Sequence, residues 1–399
     1  MKKVIVVFSL LVVFAVVLLI AWLRSDPDAP RFKPAQTQPV FKSDTLVSYH
    51  RLSSRPFEGG KMWISAWSGT NEYRYFLYDI EHKNILGELF NADAAFMTSD
   101  QTKLLCVQRV SWARRPLGDK TLAIIAPLFR GKRSFPRRGA DLETFWILDL
   151  KRNSAVKIGT AVSHPGLGID FQLSSDFRYA YNRAAALPGE NELFLCDVEK
   201  RVLARINVGG WPAAWWDARN ILVKEPDDDF VLYDVVTGKS SLLLGASNIT
   251  AFLEQNRIPD DGSKLNVFFT WNGRENVFYL TDPYKKWQAT ESFLARIERP
   301  EATLKLLSSQ FKFEWSDHLD SIGRYYLYSG REAGQASSGV FLRDLRSNTN
   351  RVLVAPDDRE RFAIPNFYRD GVIYRRSNAL WRIDLSGSNC TRLFPPSAD

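Results

Sequence analysis

The stretch "FVLYDVVTGKSSLLLG" (230–245) decides the fold of this chain. One acid, Asp234, stands between an apolar run and a turn, and a second strand-like run follows. The same phrase returns as "YFLYDIEHKNILGEL" (75–89), "FWILDLKRNSAVKIG" (145–159), "LFLCDVEKRVLARI" (193–206), "VFLRDLRSNTNRVLV" (340–354) and "LWRIDLSGSNCTRLF" (380–394). Aligned on the acid, Asp79, Asp149, Asp197, Asp234, Asp344 and Asp384 are each followed by an apolar residue: Ile80, Leu150, Val198, Val235, Leu345 and Leu385. An apolar strand, a polar turn and a returning strand make a hairpin. A degenerate copy, "SFLARIERPEATLKLL" (292–307), has Arg296 where the acid would stand. It is preferred to "VFYLTDP", in which Pro283 follows Asp282.

A second phrase precedes each hairpin, a polar turn and then a strand. It reads "EGGKMWISAW", "DQTKLLCVQ", "DFRYAYN", "DARNILVK", "DDGSKLNVFF", "DSIGRYYLYS" and "DGVIYRR". Asp fits such turns because its carboxylate can bond the turn backbone, and Gly because it allows positive φ. Each unit therefore offers about four strands, and the shorter hairpin spacings match the ~40–50 residue period of a propeller blade. Four-stranded units cannot bury both faces alone, whereas radial stacking lets each cover its neighbour. The expectation is an all-β chain, a seven-bladed β-propeller over residues 44–396. Two long spacings leave six or eight blades open. "TLVSYHR" (45–51) is expected to pair into the last blade and latch the ring.

The alternation of acid turns with strand-Asp-apolar hairpins resembles the TolB-like, WD-repeat-like propellers, most closely in "EWSDHLDSIGRYYLYSGRE" (314–332). The motif is structural in that family, so the resemblance implies the fold and little about function. TolB-type proteins are soluble and periplasmic, with a further domain ahead of the propeller. This chain departs from that pattern at its N-terminus.

There, Lys2 and Lys3 precede "VIVVFSLLVVFAVVLLIAWL" (4–23), in which Ser9 is the one polar residue. As a helix this run spans ~30 Å, the hydrocarbon thickness of a bilayer. It is longer than a signal peptide's apolar region and ends Trp22-Leu23-Arg24, a poor cleavage site. The expectation is a cytoplasmic stub (1–3), a transmembrane anchor (4–23) and an extracytoplasmic body; secretion after signal cleavage is the alternative. Residues 24–43 hold Pro27, Pro30, Pro34 and Pro39 and read as a polyproline stalk of roughly 60 Å.

The three cysteines, Cys106, Cys196 and Cys390, are far apart and lack CxxC spacing, so free thiols are expected. The chain carries no GxSxG, HExxH, GxxxxGK[ST] or helix-opening GxGxxG motif and no SxDxGxTW box, and its four histidines show no ligand spacing. No catalytic residue, metal or cofactor is expected. The recurrent acids read as turn acids bonded to local backbone, and "PDDD" (226–229) and the "PDD" runs as solvated turns.

One stretch breaks the repeat. Residues 109–138, "RVSWARRPLGDKTLAIIAPLFRGKRSFPRR", hold nine basic residues and one acid, a net +8 that equals the charge of the whole chain. Arg114, Arg115, Arg130, Lys132, Arg133, Arg137 and Arg138 flank an uncharged "LAIIAPLF". The stretch reads either as an added strand with solvated charges or as a surface for anionic lipid, an acidic protein or an acidic polymer. Nucleic acid is not expected, since no reading motif appears. Trp211, Trp215 and Trp216 in "GGWPAAWWD" (209–217) read as blade packing or as a ligand platform; strand alternation puts Trp211 and Trp215 on one face.

The sequence thus points to a membrane-anchored extracytoplasmic propeller that acts as a binding scaffold at the cell envelope. Its expected partners are the membrane, through 4–23, and a protein or acidic envelope component. A propeller-type hydrolase or lyase acting on a polymer is the alternative.

Overall fold

The computed structural model describes residues 29–39, 46–50, 58–67, 73–98, 101–110, 141–163, 171–183, 192–259, 265–271, 276–282, 292–311, 318–320, 323–330, 339–357, 362–377 and 379–394. They form seven antiparallel sheets, each containing four strands consecutive in the chain, and the first sheet carries a fifth. The sheets are seven blades, at residues 46–90, 94–163, 171–207, 211–244, 266–311, 318–354 and 362–394. Within a blade the strands run a, b, c, d from the axis outwards. First strands lie against one another between blades 3 and 4, 4 and 5, and 6 and 7, while several fourth strands are exposed along most of their length.

Seven apolar clusters hold the ring, one per seam between blades. Met62, Ile64, Phe76 and Tyr78 of blade 1 pack on Tyr368, Ile373, Leu380 and Phe394 of blade 7, so the first and last blades meet as the others do. The remaining clusters join blades 1 and 2, 2 and 3, 3 and 4, 4 and 5, 5 and 6, and 6 and 7. Among the described residues no strand is exchanged at closure. The expected latch, Leu46–His50, pairs instead with Lys61–Trp67 as the innermost strand of blade 1. Closure therefore rests on side chains, including a hydrogen bond from Tyr78 Oη to the Leu393 carbonyl (2.6 Å) and an ion pair between Arg369 and Glu81 (3.0 Å).

The repeated acids end the third strand of their blades, at Asp79, Asp149, Asp197, Asp234, Asp344 and Asp384. In blade 5 the strand runs to Glu298, so the degenerate copy carries an acid after all, two residues beyond Arg296 and on the same face. Each c–d turn then contains one left-handed residue: Lys83, Asn153, Arg201, Gly238, Ala302, Asn348 or Gly387. Gly and Asn fill this position in four of the seven turns, where a Cβ or a bulky side chain is disfavoured. The strand of the phrase "DDGSKLNVFF" does not directly precede its hairpin: Asn266–Trp271 is the first strand of blade 5, and Asn276–Thr281 stands between it and the hairpin.

Two elements depart from the repeat. The link from blade 4 to blade 5 contains helix α1 (Ala246–Gln255), which buries Ile249, Phe252 and Leu253 in the seam below it. Inside the expected stalk, Arg31–Pro34 adds a fifth strand to the outer edge of blade 1, paired with residues 87–90. Pro34 is tolerated because this is an edge strand, which needs fewer backbone donors. Phe32 is buried between blades 1 and 2 against Trp63, Leu77 and Trp146. Among the described residues no helix is long and apolar enough to cross a membrane; the expected span, 4–23, lies outside them.

Candidate functional site

Up-and-down strand order gives the ring two ends. The a–b and c–d turns leave one end; the b–c and d–a connections leave the other, called here the loop end. The acids of the turn end are committed to their own backbone. Asp79 Oδ1 accepts from the N–H groups of Glu81 and His82 (both 3.0 Å), Asp149 Oδ1 from Lys151 and Arg152 (3.0 and 2.9 Å), and Asp234 Oδ1 from Val236 and Thr237 (2.8 and 3.1 Å). The a–b acids do the same: Asp217 Oδ1 accepts from Arg219 and Asn220 (both 2.7 Å), and Asp320 Oδ1 from Arg324 and Tyr325 (2.7 and 2.8 Å).

Arginines reinforce two of these turns. Arg219 bonds Asp234 through Nε (2.8 Å) and Nη2 (2.6 Å), and Arg324 bonds Asp344 at 3.1 and 2.9 Å. The Arg219 guanidinium, and then the turn N–H groups, hold the Asp234 carboxyl below the usual range against the opposing effect of burial; Arg324 does the same for Asp344. Asp234 and Asp344 are thereby stabilised as anions, whereas burial raises the Asp320 carboxyl against the bonds from its turn N–H groups. Their role is to fix turns.

Cys106 and Cys196 are buried free thiols; burial pushes Cys106 well up and Cys196 up to about 12. Cys390 is free and exposed. Neither buried thiol supplies a ready nucleophile. Of the four histidines, His82 has a described side chain, and its ring meets Asp79 at 2.9 Å in the blade 1 turn.

The loop end holds the residues that depart from the repeat. The basic insertion runs from strand b to strand c of blade 2. Arg109 and Val110 still belong to strand b, and strand c begins at Asp141. Arg114, Arg115, Arg130, Lys132, Arg133, Arg137 and Arg138 lie outside the described residues. At the root of the insertion Arg109 pairs with the buried Glu143 (2.6 Å), and its backbone N–H donates to Asp93 Oδ2 (2.5 Å). The two strand ends from which the insertion springs are thereby tied to each other and to the preceding link.

The tryptophans separate. Trp215 is 1% exposed; its Nε1 donates to the Gln172 carbonyl of blade 3 (2.8 Å), and it packs on Tyr179 and Tyr181. Trp216, 8% exposed, stacks on Phe278 of blade 5, with the Arg299 guanidinium 4.1 Å above its ring. Trp211 is 58% exposed at the loop end, paired with Lys224. A bulge between Pro212 and Ala214 shifts the register, so the regular alternation that groups Trp211 with Trp215 does not hold.

Beside Trp211, the b–c turn of blade 4 carries Glu225, Asp227 and Asp229, with one carboxylate oxygen of each within 4.8 Å of the others. These three could share one cation. Asp229 is already engaged, however, since its Oδ1 accepts from Ala246 N at the start of α1 (2.7 Å). Lys224 meets the neighbouring Asp228 at 2.6 Å. Sequence reasoning treated this run as a solvated turn and missed α1. The signal for α1 was the i, i+3, i+4 spacing of Ile249, Phe252 and Leu253.

No protein-family model matches the chain, and no curated protein matches its sequence. Solved structures match the fold. The β-propeller domain of the Trilobed protease from Pyrococcus furiosus, described as having an open velcro topology, is 12% identical with a TM-score of 0.52, covering 87% of this chain and 98% of that one. An oligogalacturonate lyase in complex with manganese is 10% identical with a TM-score of 0.53, covering 90% and 98%. TolB from Acinetobacter baumannii is 14% identical with a TM-score of 0.36, covering 87% and 79%. The likeness is one of fold: this chain is a propeller, as that protease domain and that lyase are.

Proposed function

We propose that this chain is a binding scaffold: a propeller tethered to a membrane by residues 4–23, with its body outside the cytoplasm, that holds an acidic protein or envelope polymer at its loop end. One observation carries the reading. The two longest connections between described strands, 111–140 in blade 2 and 245–265 between blades 4 and 5, leave the ring at the same end. The c–d turns of the other end are short, and six of them are held by their own acids. A propeller lets loop length vary without disturbing the blades, so chemistry and recognition concentrate where the loops are. The basic insertion supplies the charge. Each basic residue close to an anionic surface contributes about 1 kcal/mol, screened over ~8 Å at physiological salt.

The test uses the full chain in neutral-lipid nanodiscs, titrated with fluorescent polyglutamate. Neutralising Arg130, Lys132, Arg133, Arg137 and Arg138 together should abolish binding and its salt dependence. Unchanged binding would remove the proposal.

A further inference from the structure

The fifth strand of blade 1 fixes where the chain meets the ring. Docking begins at Ala29, whose carbonyl accepts from Asn91 Nδ2 (3.3 Å) in the link between blades 1 and 2. Phe32 N donates across the seam to Asn153 Oδ1 in blade 2 (3.0 Å). Residues 31–34 then pair with 90–87, and Ala35 N donates to the Leu86 carbonyl (2.9 Å). Gln38 ends the run as a side-chain mimic of a strand: its Nε2 donates to the Ile85 carbonyl (3.2 Å), and its Oε1 accepts from Ile85 N (2.8 Å). The whole segment lies on the outer rim.

We infer that this strap mounts the ring on the bilayer by the outer rim at the seam of blades 1 and 2, facing anionic lipid head groups; the inference rests on the membrane reading above. Between the last residue of the apolar run, Leu23, and the first docked residue, Ala29, lie residues 24–28. Six steps of extended chain reach at most about 20 Å. A blade of four strands is on the order of 15 Å wide. The rim of blade 5, across the ring, is therefore more than ~30 Å from the seam. Such a tether cannot bring that rim to the membrane while the strap stays docked. The strap's exposed residues suit the surface: Arg31 and Lys33 point outwards while Phe32 is buried.

The test reconstitutes the full chain, carrying Cys390→Ser, in vesicles containing anionic lipid and lipid spin-labelled at the head group. One fluorophore is placed at Lys151→Cys beside the seam, or at Lys305→Cys on the outer strand of blade 5. The Lys151 probe should lose most of its fluorescence and the Lys305 probe should keep it. Phe32→Ala, which loosens the strap, should relieve quenching at Lys151 while the chain still floats with the vesicles. Equal quenching at the two positions, or quenching at Lys151 unaltered by Phe32→Ala, would overturn the inference alone. A chain that fails to float with vesicles after an alkaline wash would overturn the membrane reading and this inference with it.

Discussion

Tyr78 of the first blade and Leu393 of the last are joined by a 2.6 Å hydrogen bond from hydroxyl to carbonyl, 315 positions apart in the chain. Phe394 packs edge-on against the same ring at 5.3 Å. Among the described residues no strand crosses this seam, and the bond is one of the polar ties that close the circle, with those of Glu81 to Tyr368 and Arg369. Tyr78→Phe should keep the packing and leave the Leu393 carbonyl without its partner, at a cost of about 1–3 kcal/mol. Urea unfolding should show the loss, and amide exchange should quicken first in residues 391–394. An unchanged midpoint would show that this bond contributes nothing to closing the seam.

Gly87 is the position that admits the strap. A Cβ there would run into the Phe32 ring and lie 2.7 Å from the Lys33 carbonyl. Gly87→Val should therefore expel residues 29–38 and leave the ring folded. Limited proteolysis would then cut within 24–39 far sooner than in the wild type, while the melting transition of the blades moves little. Equal cutting rates would mean that the strap contributes nothing to order there.

Acid should weaken the turns in a defined direction. Asp234 and Asp344 have folded pKa values below their unfolded ones, first through Arg219 and Arg324. The stability they contribute is present above about pH 4 and is lost as the pH falls below it. Arg219→Ala with Arg324→Ala should flatten that fall. Urea midpoints compared between about pH 6 and pH 3 would show the smaller loss in the variant, and parallel curves would contradict the assignment.

The tryptophans make a graded set. Trp215→Ala should destabilise by about 3–5 kcal/mol, as for other buried aromatics. Trp211→Ala should stay within about 0.5 kcal/mol. Among these three, acrylamide quenching should be dominated by Trp211, and Trp211→Phe should lower the quenchable fraction where Trp215→Phe and Trp216→Phe leave it unchanged.

Much of the ring was legible because its turns are chemically explicit. An apolar strand ending in Asp needs that carboxylate to bond the turn N–H groups, so Asp149 and Asp234 mark their hairpins in the sequence as plainly as in space. Glu298 escaped notice because Arg299 and Pro300, rather than an apolar residue, follow it. The strap was hidden by its prolines, whose composition reads as stalk; only the pairing of Phe32 with the edge beside Gly87 gives it a place. The bulge after Pro212 separates Trp211 from Trp215; a proline inside a strand marks an edge or a bulge, which plain alternation ignores. The candidate site was legible as charge and exposure, in the basic insertion and in Trp211. That both leave the ring at one end follows from the order of the strands, which no single motif records.

The central claim is that recognition belongs to the loop end. Hydrogen exchange of the full chain in nanodiscs, with and without saturating polyglutamate, tests it most directly. The account predicts protection in the connections of blades 2 and 4 at the loop end, including 111–140 and 225–229, and none in the turns that follow Asp79, Asp149, Asp197, Asp234, Asp344 and Asp384. Protection centred on those turns, with the loop end unaltered, would contradict it.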